Sequence, residues 1–245
     1  DTLSAGSSLS VATVLGGSGS DTINVAGGNS SSIVGGYAAD SLLFTSNLKG
    51  STIFGGQPGD GGSALDGDDS VYVGGSISGV LAAGNYGDDT LSVTGSAVAS
   101  SLYGGSGNDL ISIDSVASAG VIYGNSGNDT LMIDSSLTGA TSLFGGNNKN
   151  EGDVDADSLS ISAINTGYIQ LDQGADTIVV EGVADKASIY GSSGADSLSI
   201  GGSVSAGTIY AGTEADTIFI GSTVLGGASI YGGGDSSETA ANDAA

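Results

Sequence analysis

The chain has 245 residues with 27 acidic side chains, three lysines (Lys49, Lys149 and Lys186), no arginine, histidine or cysteine, and a formal net charge of −24. It cannot form a basic footprint on nucleic acid or on an anionic membrane surface, and disulfides contribute nothing to its stability. Its 46 glycines follow no G-x-y period and stand beside a single proline, Pro58, which excludes collagen and argues against a flexible Pro/Gly linker.

No stretch approaches 18 continuous apolar residues, so no transmembrane helix is expected. The chain opens on Asp1-Thr2-Leu3, already inside a repeat, and we expect a piece of a longer protein. From there an aspartate recurs at Asp1, Asp21, Asp40, Asp69, Asp89, Asp109, Asp129, Asp157, Asp176, Asp196 and Asp216, with gaps of 20, 19, 29, 20, 20, 20, 28, 19, 20 and 20 residues. A sustained period of this length predicts a solenoid. Residues one period apart then lie over one another, and the aspartates form a column.

Each aspartate is followed at two and four residues by an apolar pair, from Ile23/Val25 and Leu42/Phe44 through Leu91/Val93, Ile111/Ile113 and Leu131/Ile133 to Ile218/Ile220. Alternation with period two makes this a strand with the pair facing inward. A second strand precedes most turns, ending for example in Ser101-Leu-Tyr103, Val121-Ile-Tyr123, Ser142-Leu-Phe144 and Ser188-Ile-Tyr190. Its central Ile or Leu points in. The outward aromatics Tyr103, Tyr123 and Phe144 are expected to stack along one face, as are Tyr190, Tyr210 and Tyr231, by packing between rungs.

Gly, Ser, Thr, Val and Ile dominate and no 3.6-residue stripe is sustained, which argues against helix. The predicted fold is all-β: a right-handed parallel β-solenoid (β-roll or β-helix) of about 20 residues per rung. Two strands and two turns make each rung. Eleven or so rungs stacked at ~4.8 Å give a rod of roughly 50 Å. It runs as one continuous body over 1–231, and the tail 232–245 loses the apolar positions. The two long gaps place insert loops at 57–68 and 147–156 on one corner, and such insertions often mark a working face.

The turns carry the chemistry. Gly16-Gly-Ser-Gly-Ser-Asp21-Thr-Ile23 and Gly104-Gly-Ser-Gly-Asn-Asp109-Leu-Ile111 fit G-G-x-G-x-D-x-U, with U apolar. This resembles the RTX, or haemolysin-type, calcium-binding repeat, in which backbone carbonyls and Asp carboxylates of neighbouring coils hold Ca²⁺. Elementary chemistry agrees, because calcium takes six to eight oxygens in a flexible shell and stacked carboxylates repel unless a cation lies between them. The resemblance implies Ca²⁺ first at Asp89, Asp109 and Asp129, then at Asp21, Asp176 and Asp196, with Asp69 and Asp157 following the inserts. RTX coils usually carry the motif at both turns, whereas here the opposite turn reads Asp114-Ser-Val-Ala-Ser or Gly201-Gly-Ser-Val-Ser. Calcium is therefore expected along one edge only. Gly35-Gly-Tyr-Ala-Ala-Asp40 and Ala211-Gly-Thr-Glu-Ala-Asp216 lack the glycine two residues before the Asp, which weakens the expectation at Asp40 and Asp216. The competing use of each Asp is a hydrogen bond to turn N–H groups. In the inserts, Asp153-Val-Asp155-Ala-Asp157 and Asp66-Gly-Asp68-Asp69 could converge on one hard cation or form solvated acidic loops.

Catalysis has few candidates beyond paired carboxylates, and the three lysines are scattered, so no enzyme is expected. The expected function is a calcium-stabilised structural rod of an extracellular bacterial surface protein, resembling surface-layer proteins and large RTX adhesins. Expected partners are other copies or segments of the same protein and cell-surface polysaccharide, with no nucleic acid and no direct membrane insertion. The alternatives are a phage or virion fibre and a calcium-folded module of a secreted enzyme. Ice binding is disfavoured because the outward row Asn24, Leu43, Tyr72, Ser92, Ser112, Met132, Ser160, Val179, Ser199 and Phe219 is chemically mixed.

Overall fold

A computed structural model describes residues 1–58, 65–146 and 154–233. All the named elements are β-strands, every pairing between them is parallel, and they form about eleven stacked coils in a single solenoid. The register steps by one period at each pairing, so Leu91 lies over Val71 and under Ile111. It also crosses both long gaps, with Ser41 paired to Ser70 and Thr130 to Ser158. The strands on either side of each gap therefore keep the same alternation. A slip of one residue would turn every apolar pair outward.

Most coils have three strands where two were expected, although after Asp129 and Asp157 the first two run on as Thr130–Thr138 and Ser158–Ile164. The first follows the aspartate, as in Thr90–Val93 and Leu110–Ile113. The second is only two residues long, as in Leu48–Lys49, Ile77–Ser78, Ala97–Val98 and Ala117–Ser118, and it occupies the corner read as a plain turn. The third leads into the glycines, as in Leu81–Tyr86, Ser101–Ser106 and Val121–Ser126. First and second strands share one 19-stranded sheet, and the third strands form an 11-stranded sheet facing it.

The extra strand carries a fourth inward position. Leu48, Ile77, Ala97, Ala117, Leu137, Ala184 and Val204 are all buried there. A coil such as the one beginning at Asp109 thus contributes Ile111, Ile113, Ala117 and Ile122 to one continuous apolar column. Each full-size aliphatic buried in this way contributes about 1.5–3 kcal/mol. In the outermost coils the equivalent side chains, Leu9 and Val14 at one end and Ile218, Ile220 and Ile230 at the other, are only partly buried.

Among the outward aromatics, Tyr103 and Tyr123 stack with centroids 5.4 Å apart and planes 4° off parallel, and Tyr123 stacks on Phe144 at 4.5 Å and 11°. Tyr210 and Tyr231 meet at 6.2 Å and 53°, tilted rather than stacked. Gln170 interrupts the column between Phe144 and Tyr190. Tyr168, two residues earlier on the same strand, spans that break, with its ring 5.7 Å from Phe144 and 5.4 Å from Tyr190.

Candidate functional site

The site is the corner where the third strand of one coil passes into the first strand of the next. In most coils the turn folds here because left-handed backbone is available four and two residues before the aspartate: Gly105 lies at φ 138° and Gly107 at φ 128° ahead of Asp109. The glycine at the second of these positions is dispensable. Ala38 (φ 68°) and Glu214 (φ 81°) hold the same backbone ahead of Asp40 and Asp216. That arrangement carries the strain expected of residues with a Cβ.

The aspartates point inward. From Asp21 to Asp196 those of the column are no more than 7% exposed, and Asp216 in the last full coil is half-buried. One oxygen of each has a defined partner. Asp21 N–H donates to Asp40 Oδ1, Asp40 to Asp69, Asp69 to Asp89, Asp89 to Asp109 and Asp109 to Asp129, at 2.6–2.7 Å. The series continues from Asp129 N–H to Asp157 Oδ1, then through Asp176 and Asp196 to Asp216, at 2.8–3.0 Å. In the other direction Leu110 N–H donates to Asp89 O and Thr130 N–H to Asp109 O, both at 2.8 Å. Each corner peptide is thereby bonded twice to the coil above it. The Asp N–H has no strand partner at the bend and would otherwise be a buried, unsatisfied donor.

The second oxygen is the unusual feature. Oδ2 of Asp21, Asp40, Asp69, Asp89, Asp109, Asp176, Asp196 and Asp216 is buried and has no hydrogen-bond partner. In most coils it lies against the glycine that opens the turn, five residues earlier. A Cβ on Gly104 would collide with Asp109 Oδ2 and with the carbonyl oxygen of Gly124 in the next coil, and Gly16, Gly35 and Gly191 stand in the same relation to their neighbours. Two acceptors, a carboxylate and a carbonyl, thus crowd one spot with no donor between them. Burial accordingly raises Asp40, Asp69, Asp89, Asp109, Asp176, Asp196 and Asp216. Asp89 is pushed up to about 9 by burial, against the N–H of Asp69, with the carboxylates of Asp109, Asp69 and Asp66 adding to the rise. Asp69 reaches about 8, Asp109 and Asp176 about 7, and Asp40 and Asp196 about 6, burial being the largest cause in every case.

The acids of the inserts go to separate places. Asp68 Oδ1 is exposed and accepts from Asp88 N–H at 2.9 Å. Asp66 is raised by burial, opposed by the N–H groups of Tyr86, Gly67 and Gln57. Asp155 Oδ2 accepts from Gly127 N–H at 2.8 Å, and Asp157 belongs to the column. Asp153 lies outside the described residues. Among the described residues no three acidic side chains gather at one point. A cation at this corner would therefore draw most of its ligands from backbone carbonyls.

Two features escaped the sequence reading. Asp172 is a further buried acid, 6% exposed, four residues before Asp176 in a turn whose glycine pattern is broken. A second, exposed ladder runs one residue before the column. Asp88 N–H donates to Asp68 Oδ1, Asn108 N–H to Asp88 Oδ1, Asn128 N–H to Asn108 Oδ1 and Ala156 N–H to Asn128 Oδ1. Its signal was the recurring Asp or Asn just before the column aspartate, as in Asp88-Asp89 and Asn108-Asp109.

No protein-family model matches the chain, and neither a curated protein nor a solved structure matches it.

Proposed function

We propose that this chain is a non-catalytic structural rod of an extracellular bacterial surface protein, a surface layer or an adhesin, whose acidic corner is held by Ca²⁺. The observation that carries the reading is the buried Oδ2 column. Asparagine would serve the Oδ1 bond equally well, as Asn108 and Asn128 do in the exposed ladder. It would also bring an N–H₂ donor to the facing carbonyl. Yet every column position from Asp21 to Asp216 is an acid. A row of buried acids is costly unless something positive is held with them. The residues fit a hard cation in kind: carboxylate oxygens and glycine carbonyls meet at the same spot, in turns that resemble the RTX repeat. Asp89, Asp109 and Asp129 with the carbonyls of the adjoining glycines would hold the ion. Bound calcium supplies the charge that makes the column stable, and an extracellular setting supplies calcium.

A second reading rests on the raised acidities. At neutral pH a proton on Oδ2 could donate to the facing carbonyl and complete the corner without metal. The experiment that separates the two is thermal melting followed by circular dichroism at pH 7, in chelator and in millimolar calcium. The calcium reading expects β-sheet signal and melting temperature to rise with calcium, by mass action on the folded state alone. Identical curves in the two buffers would overturn it and leave the protonated column.

A further inference from the structure

We infer that the outer face of the third-strand sheet is an interface on which a second copy of this chain stacks face to face, the two rods pointing the same way. The chain holds 27 acids and three lysines, yet none of them lies on the eleven strands of this sheet. The opposite sheet is not spared, since Lys49, Asp134 and Asp185 lie on its strands. Ten of the 13 aromatic residues (nine Tyr and four Phe) belong to the charge-free strands. Among them Tyr103, Tyr123, Phe144, Tyr190, Tyr210 and Tyr231 stand outward on their strands. Among the described residues no strand lies over that outer side. A charge-free, Tyr-rich centre between charged edges is the composition of a protein interface rather than of a solvated wall.

The area is that of a weak, reversible complex. Val34 and Ala83, nearer the start of the sheet, are already buried, so only the seven strands from Ser101–Ser106 to Ser229–Tyr231 are counted. They span about 34 Å by 14 Å. Two copies stacked across them cover about 500 Å² on each and about 1,000 Å² together, the size at which specific interfaces begin. Side chains on this face stand in rows one rung apart. Rows at that pitch interdigitate best with rows of the same pitch, and the same sheet of a second copy supplies them, flat and uncharged.

A two-fold axis in the plane between the sheets makes the contact isologous and closes it at two copies. Charge sets the direction. The exposed acids Asp68, Asp88 and Glu214 lie at the edge where the third strands end. Both described lysines lie at the edge where they begin, Lys49 shortly before Thr52–Gly56 and Lys186, paired with Asp185, just before Ala187–Tyr190. With the axis along the rod, the acidic edge of each copy runs beside the lysine edge of the other. With the axis along the strands, acidic edge would meet acidic edge and oppose the contact. The inference rests on this face and holds whichever agent neutralises the aspartate corner.

The test is sedimentation velocity on the whole chain in calcium buffer, where the fold is complete on either reading of the corner. A monomer–dimer equilibrium is expected, with a dissociation constant of about 100 μM or tighter. Ser101→Glu with Ser188→Glu puts two acids on the face and should weaken the dimer at least about tenfold, with circular dichroism unchanged. Ser112→Glu with Ser160→Glu adds the same charge to the outer side of the opposite sheet and should change the constant by less than about threefold. Ser229→Cys, near one end of the sheet, should give a covalent dimer on adding a mild oxidant, because parallel rods bring that end of both copies together and antiparallel rods part them. A chain that stays monomeric at about 500 μM overturns the inference, as does an equal loss in the two glutamate pairs. Absence of the covalent dimer overturns the parallel arrangement.

Discussion

In three coils the two inner corners solve one problem with different chemistry. At both, the chain bends away from its sheet and leaves an N–H with no strand partner, and at both a side-chain oxygen from the next coil takes it. At the short-strand corner the oxygen is a hydroxyl: Ser31 Oγ accepts from Ala12 N–H, Ser51 Oγ from Ser31 N–H and Ser100 Oγ from Val80 N–H. Each hydroxyl then donates to a carbonyl two residues back, Asn29, Lys49 or Val98. It is complete and neutral. At the aspartate corner Oδ1 does the same work, but Oδ2 has nothing to give to the carbonyl opposite. A fold that needed only the acceptor could have used the serine device, or asparagine, at both corners. The aspartate corner is therefore where solution conditions should act, and the serine corner should be indifferent to them.

The comparison breaks most visibly under Asp109→Ala. It strips the acceptor from the buried Asp89 N–H, and leaving such a group unsatisfied costs about 1–3 kcal/mol, to which a cavity adds. It should lower the melting temperature in either buffer and reduce the gain from calcium. Asp109→Asn sharpens the contrast because its sign depends on the buffer. With chelator at pH 8 it should raise the melting temperature, by replacing a buried charge with a donor. With saturating calcium it should lower it, by removing ligands from the ions on both sides. The same sign in both buffers would count against a cation at this corner.

Acidity provides the third contrast. Asp40, Asp69, Asp89, Asp109, Asp176 and Asp196 are raised in the folded state, so without metal their contribution to stability is fully present below about pH 4, the unfolded value, and is lost as pH rises through the folded values of about 6 to 9. Melting in chelator should fall steadily across that window, and calcium should flatten the decline. Ser100→Ala should cost about 1–2 kcal/mol by orphaning Val80 N–H, by equal amounts with and without calcium and at pH 5 and 8. The smallest effect is expected of Ala119→Gly. Ala119 lies at φ 53° just after the short strand, and glycine there should add a few tenths to about 1 kcal/mol, read as a rise in denaturant midpoint at constant slope.

The solenoid was legible because the aspartate and its two apolar followers recur in nearly every coil, and two successive in-facing residues fix a strand by alternation. The short strand was not. It offers a single in-facing residue, such as Ala97 or Ala117, flanked by Ser and Gly, and two residues cannot display a period. Its signal was vertical, an apolar residue about eight after each aspartate. The column itself was legible as a column, but not its depth. Nothing local to Asp109 says that its carboxylate turns under the strand to reach Asp89 rather than out to solvent. That follows from the packing of the glycine five residues earlier, which leaves room for an oxygen where a methyl would sit. The glycine two residues before the Asp looked decisive in the sequence, yet Ala38 and Glu214 replace it in an unbroken ladder, because the bonds to neighbouring coils hold the left-handed backbone in place.

The reciprocal bonds at the aspartate corner also give the rod a direction. Each coil offers an N–H to the coil that follows and a carboxylate oxygen to the coil that precedes. Any exposed cross-section is therefore unlike on its two sides, with acids presented toward the start of the chain and amide donors toward its end. At the start, Asp21 Oδ1 meets the Asp1 amino group at 2.5 Å. Two such stacks laid end to end can continue the ladder tail to head. Laid head to head, they would set one file of carboxylates against another. Like an arrow, the molecule has a sense as well as an axis, and that sense is written at every rung.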